Sequence, residues 1–238
     1  MTHMHDIASE TSLAARLAAT HGLAPSVPAG EWARRYEDHA TFHIAGTPPG
    51  WNPVGELRIA RKLVGENEQE LLIEHWRNAL AGFRSITKAT VRARVDALAT
   101  SLHWRVETAV VEHATGEVVP STAMTKELSL DGGVLVERVG AASTRTRVAG
   151  SVAIKLCLLE ALGRATPGMD AAFSLLDEYD EVLPGQQLHP QSFEPAATKG
   201  GGRLAAVWRH TGRGTVPGTY WADDSGRVLF YLAGAQAL

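Results

Sequence analysis

The tripeptide His-Trp-Arg occurs twice in this chain, as His75-Trp76-Arg77 and as His103-Trp104-Arg105, and once in near-inverted order as Trp208-Arg209-His210. All three sit in stretches that read as β-strands. Side chains alternate faces along a strand, so the His and Arg of each direct copy share one face and the Trp takes the other. An imidazole can take or give a proton near neutral pH. A guanidinium grips carboxylates and phosphates through paired hydrogen bonds. In this reading His103 or His210 takes a proton, Tyr220 gives one, and Arg105 neutralises a carboxylate. Such a site would make the protein a lyase or isomerase acting on a carboxylate-bearing substrate, sugar-derived ones included.

A second reading needs no reaction. Arg58, Lys62, Arg92, Arg94, His103 and Arg105 fall on one side of three expected strands, with Asp96 and Glu107 among them. Such a face is either the solvated exterior of a half-buried sheet or a cationic cradle. In the cradle, Arg92, Arg94 and Arg105 hold the anionic end of a small or elongated ligand. Trp51, in a loop beside Gly50 and Pro53, and Trp221, on a late strand, offer flat apolar surface for a lipid- or glycan-like body. Trp76 and Trp104 are expected in the core. A third reading, a partner-binding structural module, uses none of these groups chemically.

Several classes receive no support. Cys157 is the only cysteine, so there is neither an intrachain disulfide nor a multi-cysteine metal cluster. Its apolar neighbours Leu156, Leu158 and Leu159 predict a small buried hydrophobe. No His-Glu-x-x-His or Gly-x-Ser-x-Gly element occurs, and Lys199-Gly200-Gly201-Gly202-Arg203 lacks the Lys-Ser/Thr of a phosphate loop. No metal and no cofactor are expected. A formal charge of −3 and a pI near 6.4 give no general attraction to nucleic acid or an anionic membrane. With 45% hydrophobic and 21% charged residues the composition is that of a soluble globular protein. No apolar run reaches the roughly 18 residues of a transmembrane helix. The polar start Met1–Glu10 does not read as a signal peptide. That predicts a cytoplasmic protein, or a periplasmic or secreted one if a signal has been removed.

These groups must be positioned by local elements. Residues 1–37 read as an N-terminal helical segment, with a capped helix over 9–21 and a helical turn at Trp32–Glu37. From 38 to 238 the period is mainly two, which predicts one β-rich domain. Glu56–Val64, Glu70–Asn78, Thr87–Ala97 and Leu102–Glu112 read as consecutive strands, with Val95 and Trp104 toward the core. Pro120–Leu128 and Val134–Val139 form a hairpin around Asp131-Gly132-Gly133. Phe173–Tyr179, Leu204–Thr211, Thr219–Ala222 and Arg227–Ala233 follow. Residues 151–162 break the pattern and predict a buried helix, capped by Ser151 and ended by Gly163. The fold class is mainly β: a large curved antiparallel sheet or unclosed barrel wrapping one buried helix, plus the N-terminal helix.

This order of meander, buried helix and meander resembles the lipoprotein-carrier-like proteins of bacterial envelopes, whose long antiparallel sheet wraps helices as an unclosed barrel. The strands Glu56–Val64 through Leu102–Glu112, the helix Ser151–Leu162 and the hairpin Thr219–Arg227 carry the likeness. It implies an apolar ligand groove and no catalytic residue. A cone-shaped α+β fold of the nuclear-transport-factor type ranks second, because strands after 170 have no place in it.

Overall fold

The structure is a computed structural model that describes residues 31–40, 52–79, 82–165, 169–177, 181–192, 204–234 and 236–237. The helix expected at 9–21 and the loop bearing Trp51 lie outside the described residues. Fifteen strands form a single sheet. The first eight are β1 (Trp32–Ala40), β2 (Asn52–Leu63), β3 (Glu68–Asn78), β4 (Phe83–Arg94), β5 (Ser101–Glu112), β6 (Met124–Asp131), β7 (Val134–Val139) and β8 (Ala142–Arg147). They run as a meander, each antiparallel to the next. The remaining strands are β9 (Val152–Ile154), β10 (Ala171–Asp177), β11 (Glu181–Pro190), β12 (Leu204–Thr211), β13 (Gly218–Asp223), β14 (Val228–Ala233) and β15 (Gln236–Ala237). β15 pairs with β1, so two meanders join edge to edge.

The two free edges of the sheet are β8 and β9, and they are consecutive in the chain. Four residues, 148–151, connect them. A linker of that length spans at most about 18 Å extended, so the sheet must curl until its ends are neighbours. β9 comes against β5 and pairs in parallel only with β10, which leaves the barrel unclosed. The strands after 170 belong to this same sheet, which rules out the cone-shaped alternative.

Inside the curl lie Leu57, Ile59, Leu71, Ile73, Val91, Trp104, Val106 and Leu128 from the first meander. Phe173, Leu175, Leu188, Trp208, Tyr220 and Tyr231 face them from the second. The space between is filled by a short helical segment, Lys155–Cys157, Leu158–Ala161 and Leu162–Arg164. Every residue from Leu156 to Leu162 is buried. Cys157 is among them, and burial pushes its thiol pKa up, as an inert hydrophobe requires. Truncating Leu159 there should cost about 2–5 kcal/mol.

Two element assignments need correction. Trp32–Ala40 is a strand, not a helical turn, because inward Tyr36 and Asp38 alternate with exposed Arg35 and Glu37. The sheet therefore begins inside the segment expected to be helical. The buried helix begins at Lys155 and not Ser151. The β-branched Val152 and Ile154 extend as an edge strand instead, and Gly163 sits within the last turn, against Gly226. The expected hairpins are present, and Gly132 and Gly133 carry the positive φ of 54° and 76° that the β6–β7 turn demands. Val95 lies in the turn after β4 and is half-buried.

A second apolar cluster lies on the opposite face of the second meander. Leu204, Val207, Trp221 and Leu229 are buried there.

Candidate functional site

The outer face of β1–β5 carries a trough of about 570 Å³. Register explains its shape. Residues directly opposite each other in paired strands share a face and form rows across the sheet. One row reads Ala33, Ala60, Leu72, Thr90, Arg105 and Glu127. The row on one side reads Arg35, Arg58, Glu74, Lys88 and Glu107. The row on the other side holds Lys62, Glu70, Arg92 and His103. Ala33, Ala60, Leu72 and Thr90 are shorter than the charged side chains of the flanking rows and leave a channel running across the strands, with Arg105 at its end. Its floor is apolar, with Leu72 46% exposed at the centre.

The charge of the trough is unequal. Arg35, Arg58, Lys88 and Arg105 line it against Glu74 and Glu107. Arg35 and Arg58 oppose each other directly, an unfavourable pairing that Glu56 relieves by accepting from both at 2.5 Å. Lys88 and Glu74 are 3.7 Å apart, and both are well exposed. Arg105 reaches Glu107 at 2.9 Å and Glu127 at 3.2 Å, with its side chain 51% exposed. Exposed pairs of this kind contribute about 0–1 kcal/mol, so an anion can exchange for one at little cost.

The inner face of the first strands buries polar groups at two ends. At one end Asp38 is fully buried, and its Oδ2 accepts from His75 Nε2 at 2.9 Å and from Arg77 Nε at 2.7 Å. Because a carboxylate only accepts, His75 carries a proton on Nε2. Gly55 stands opposite both Asp38 and Arg77, where a Cβ would collide with the Trp76 carbonyl. At the other end Glu160, from the helical segment, is buried. It is held by Arg164, by Arg61 at 3.3 Å and by Gln69 Nε2 at 2.9 Å. Arg61 Nε also donates to Gln69 Oε1 at 2.7 Å, and Arg164 Nη2 donates to the Asp96 carbonyl at 3.0 Å.

The second meander buries a histidine. His210 Nε2 meets Gln186 Oε1 at 3.1 Å, and Gln186 Nε2 donates to the carbonyls of Pro184 and Arg213. Those two carbonyls fix the amide orientation, so His210 is the Nε2–H tautomer. Its ring stacks on Phe173 at 5.6 Å. Burial, and secondarily Lys155, pushes its pKa down to about 4 against a smaller opposing effect of Asp177. Tyr220 is also fully buried, its ring 4.5 Å from that of Tyr231. Burial first, and Tyr231 beside it, raise its pKa well above the ordinary tyrosine value.

The structure thus separates the residues that the sequence suggested as one site. His103 and Arg105 stand exposed on the outer face of β5, while His210 and Tyr220 are buried inside the second meander. Arg105 lines the trough. Arg92 stands one row away, bound to Glu68 at 2.6 Å, and Arg94 sits at the end of β4. Trp221 is buried in the second apolar cluster. Trp51 lies outside the described residues. Trp104 is in the core as expected, but Trp76 is on the outer face with the Arg84 guanidinium 4.5 Å above its ring. Phase decides this: Leu71 and Ile73 point inward, so the even-numbered Trp76 cannot. Sequence reasoning missed Arg35, Lys88 and Leu72 in the trough, and Asp38 and Glu160 inside. Only strand register brings the first three together, and register is not written in any one strand.

No family model matches this chain, and no curated protein matches it. Among solved structures it is similar to a β-barrel-like protein of the domain of unknown function DUF1849 from Brucella abortus, with a TM-score of 0.54 and 10% identity, covering 89% of this chain and 94% of that one. The likeness supports the barrel-like fold and no more. No described helix is long and apolar enough to cross a membrane. No cluster of metal-ligating side chains occurs among the described residues.

Proposed function

We propose that this protein binds a small or elongated amphiphilic anion in the trough across β1–β5. The row of shorter residues between two charged rows carries this reading. Its apolar floor at Ala33, Ala60 and Leu72 suits an acyl or ring body, and Arg105, Lys88 and the Arg35–Arg58 pair suit a carboxylate or phosphate head. A lipid- or glycan-like ligand fits the length of a channel that crosses five strands, and the likeness to lipoprotein carriers would place the protein among carriers rather than enzymes. An acid–base reaction at His103 would have to recruit its proton donor elsewhere, since Tyr220 is on the other side of the sheet.

Octanoate and decyl phosphate are suitable probes. Leu72→Glu fills the floor with a like charge and should abolish their binding in isothermal titration while thermal stability holds. Arg105→Ala should weaken binding about tenfold, the loss expected for one charge-assisted contact. Unchanged affinity in both variants would sink the reading and leave an ordinary solvated face.

A further inference from the structure

The Glu160 end of the interior holds more positive charge than it neutralises. Arg61 and Arg164 already share the one carboxylate. Arg34 adds a third guanidinium on the same inner face. Its direct cross-strand partner is Ile59, two residues before Arg61, and Trp32 pairs with Arg61 itself. The Arg34 guanidinium lies 4.1 Å over the Trp32 ring. Its Nε and Nη1, and the Nε of Arg164, are buried without a hydrogen-bond partner among the described residues. Arg34 is only half-buried, so the site is reachable from solvent.

Each of these features carries a free-energy cost. A buried unpaired N–H forfeits its hydration, and like charges in a low dielectric repel. Burial lowers the Arg61 pKa, and after the opposing pull of Glu160 the nearby Arg164 and Arg34 lower it further. Trp32 supplies only a partial counter-charge through its ring face. A bound oxyanion would accept from the idle Arg34 donors and balance the excess charge.

We propose that Arg34, over Trp32 and on the same inner face as Arg61, binds the carboxylate or phosphate group of a ligand at the Glu160 end of the curled sheet. Arg34 also borders the trough, but its cross-strand partner is the buried Ile59, so strand alternation turns its side chain to the face opposite Arg105.

Isothermal titration of the full chain with inorganic phosphate, acetate and octanoate at matched ionic strength tests this. Wild type should bind at least one of them saturably. Arg34→Gln should lose about tenfold or more in affinity, and Arg34→Lys, which keeps the charge but not the planar donors, should fall between. Arg105→Ala should retain binding at this site. Octanoate tighter than acetate, with both dependent on Arg34, assigns the head of a longer ligand; equal affinities assign a free oxyanion. The proposal is overturned if wild type binds none of the three, or if Arg34→Gln binds as wild type does. Loss in Arg105→Ala with Arg34→Gln intact moves the anion to the trough and overturns it as well. Removing an uncompensated cation should leave the thermal midpoint of Arg34→Gln in anion-free buffer equal to or above that of wild type. If Arg34→Gln does not fold, the wild-type and Arg34→Lys titrations decide: equal affinity in those two overturns the proposal.

Discussion

In β3 the His-Trp-Arg tripeptide turns His75 and Arg77 inward onto buried Asp38 and leaves Trp76 outside, beneath Arg84. In β5 the same three residues stand the other way round. Trp104 is wholly buried, and His103 and Arg105 face solvent. The inverted copy in β12 differs again, burying both Trp208 and His210. An identical tripeptide therefore has no fixed environment. What sets it is the phase of the strand, and a slip of one residue exchanges the two faces completely. In β5 the phase is fixed by Trp104 and Val106, with charged residues between them. In β3 the run Leu71-Leu72-Ile73 is apolar on both faces, so either phase was open. Leu72 faces outward and lines the trough.

The sharpest way to break this comparison is to truncate the two tryptophans. Trp104→Ala should cost about 3–5 kcal/mol in urea unfolding, as a core cavity does. Trp76→Ala should cost less than half of that, since its side chain is only half-buried on the outer face. Equal losses would mean that the two environments are alike after all.

Acid should act on the third copy. The His210 pKa is about 4 in the folded protein against 6.5 for an ordinary histidine. Between those values the unfolded chain binds the extra proton. Stability should then fall as pH drops through that window, with a slope approaching about 1.4 kcal/mol per pH unit, and this component should level off below it. His210→Gln should flatten that slope in pH-dependent unfolding, and a slope that persists would assign the loss to other groups.

The histidines of the direct copies give a smaller contrast. His75→Ala removes a hydrogen bond to a buried carboxylate and should destabilise by about 1.5–3 kcal/mol, whereas His103→Ala should stay within about 0.5 kcal/mol. The arginines should differ least in stability and most in function. Arg105→Ala should shift stability by under about 1 kcal/mol, as an exposed ion-pair member, yet weaken octanoate binding. A large stability loss there would make Arg105 structural.

The hairpins were legible because their turns carry glycine at positions that demand it and their strands alternate cleanly, as Leu102–Glu112 does. β1 was not legible, since its inward row, Trp32-x-Arg34-x-Tyr36-x-Asp38, carries charge where a core strand carries aliphatics. At one end of that row His75 and Arg77, from β3, neutralise Asp38, and at the other Arg34 lies over the Trp32 ring, so neither charge is explained within β1 alone. β8 was missed for the opposite reason: all six of its residues are exposed, so it has no apolar face to announce it. The charged outer face was visible as a list of residues, but the trough was not. A channel across strands is a property of register between five segments, and no single segment encodes it.

Among the described residues the joint between β1 and β15 is two residue pairs long, His39 with Ala237 and Ala40 with Gln236. Each meander can form from neighbours in sequence, hairpin by hairpin, at little entropic cost. The joint instead closes a loop nearly as long as the chain, and such contacts come late in folding. During synthesis the apolar inner face of the first meander would wait until the helical segment Lys155–Arg164 and the second meander have emerged to cover it. The same stitch should be the first to open in the finished protein. Its amides would exchange with solvent well before those of β3 to β5, so the molecule has a built-in order of assembly and, reversed, of undoing.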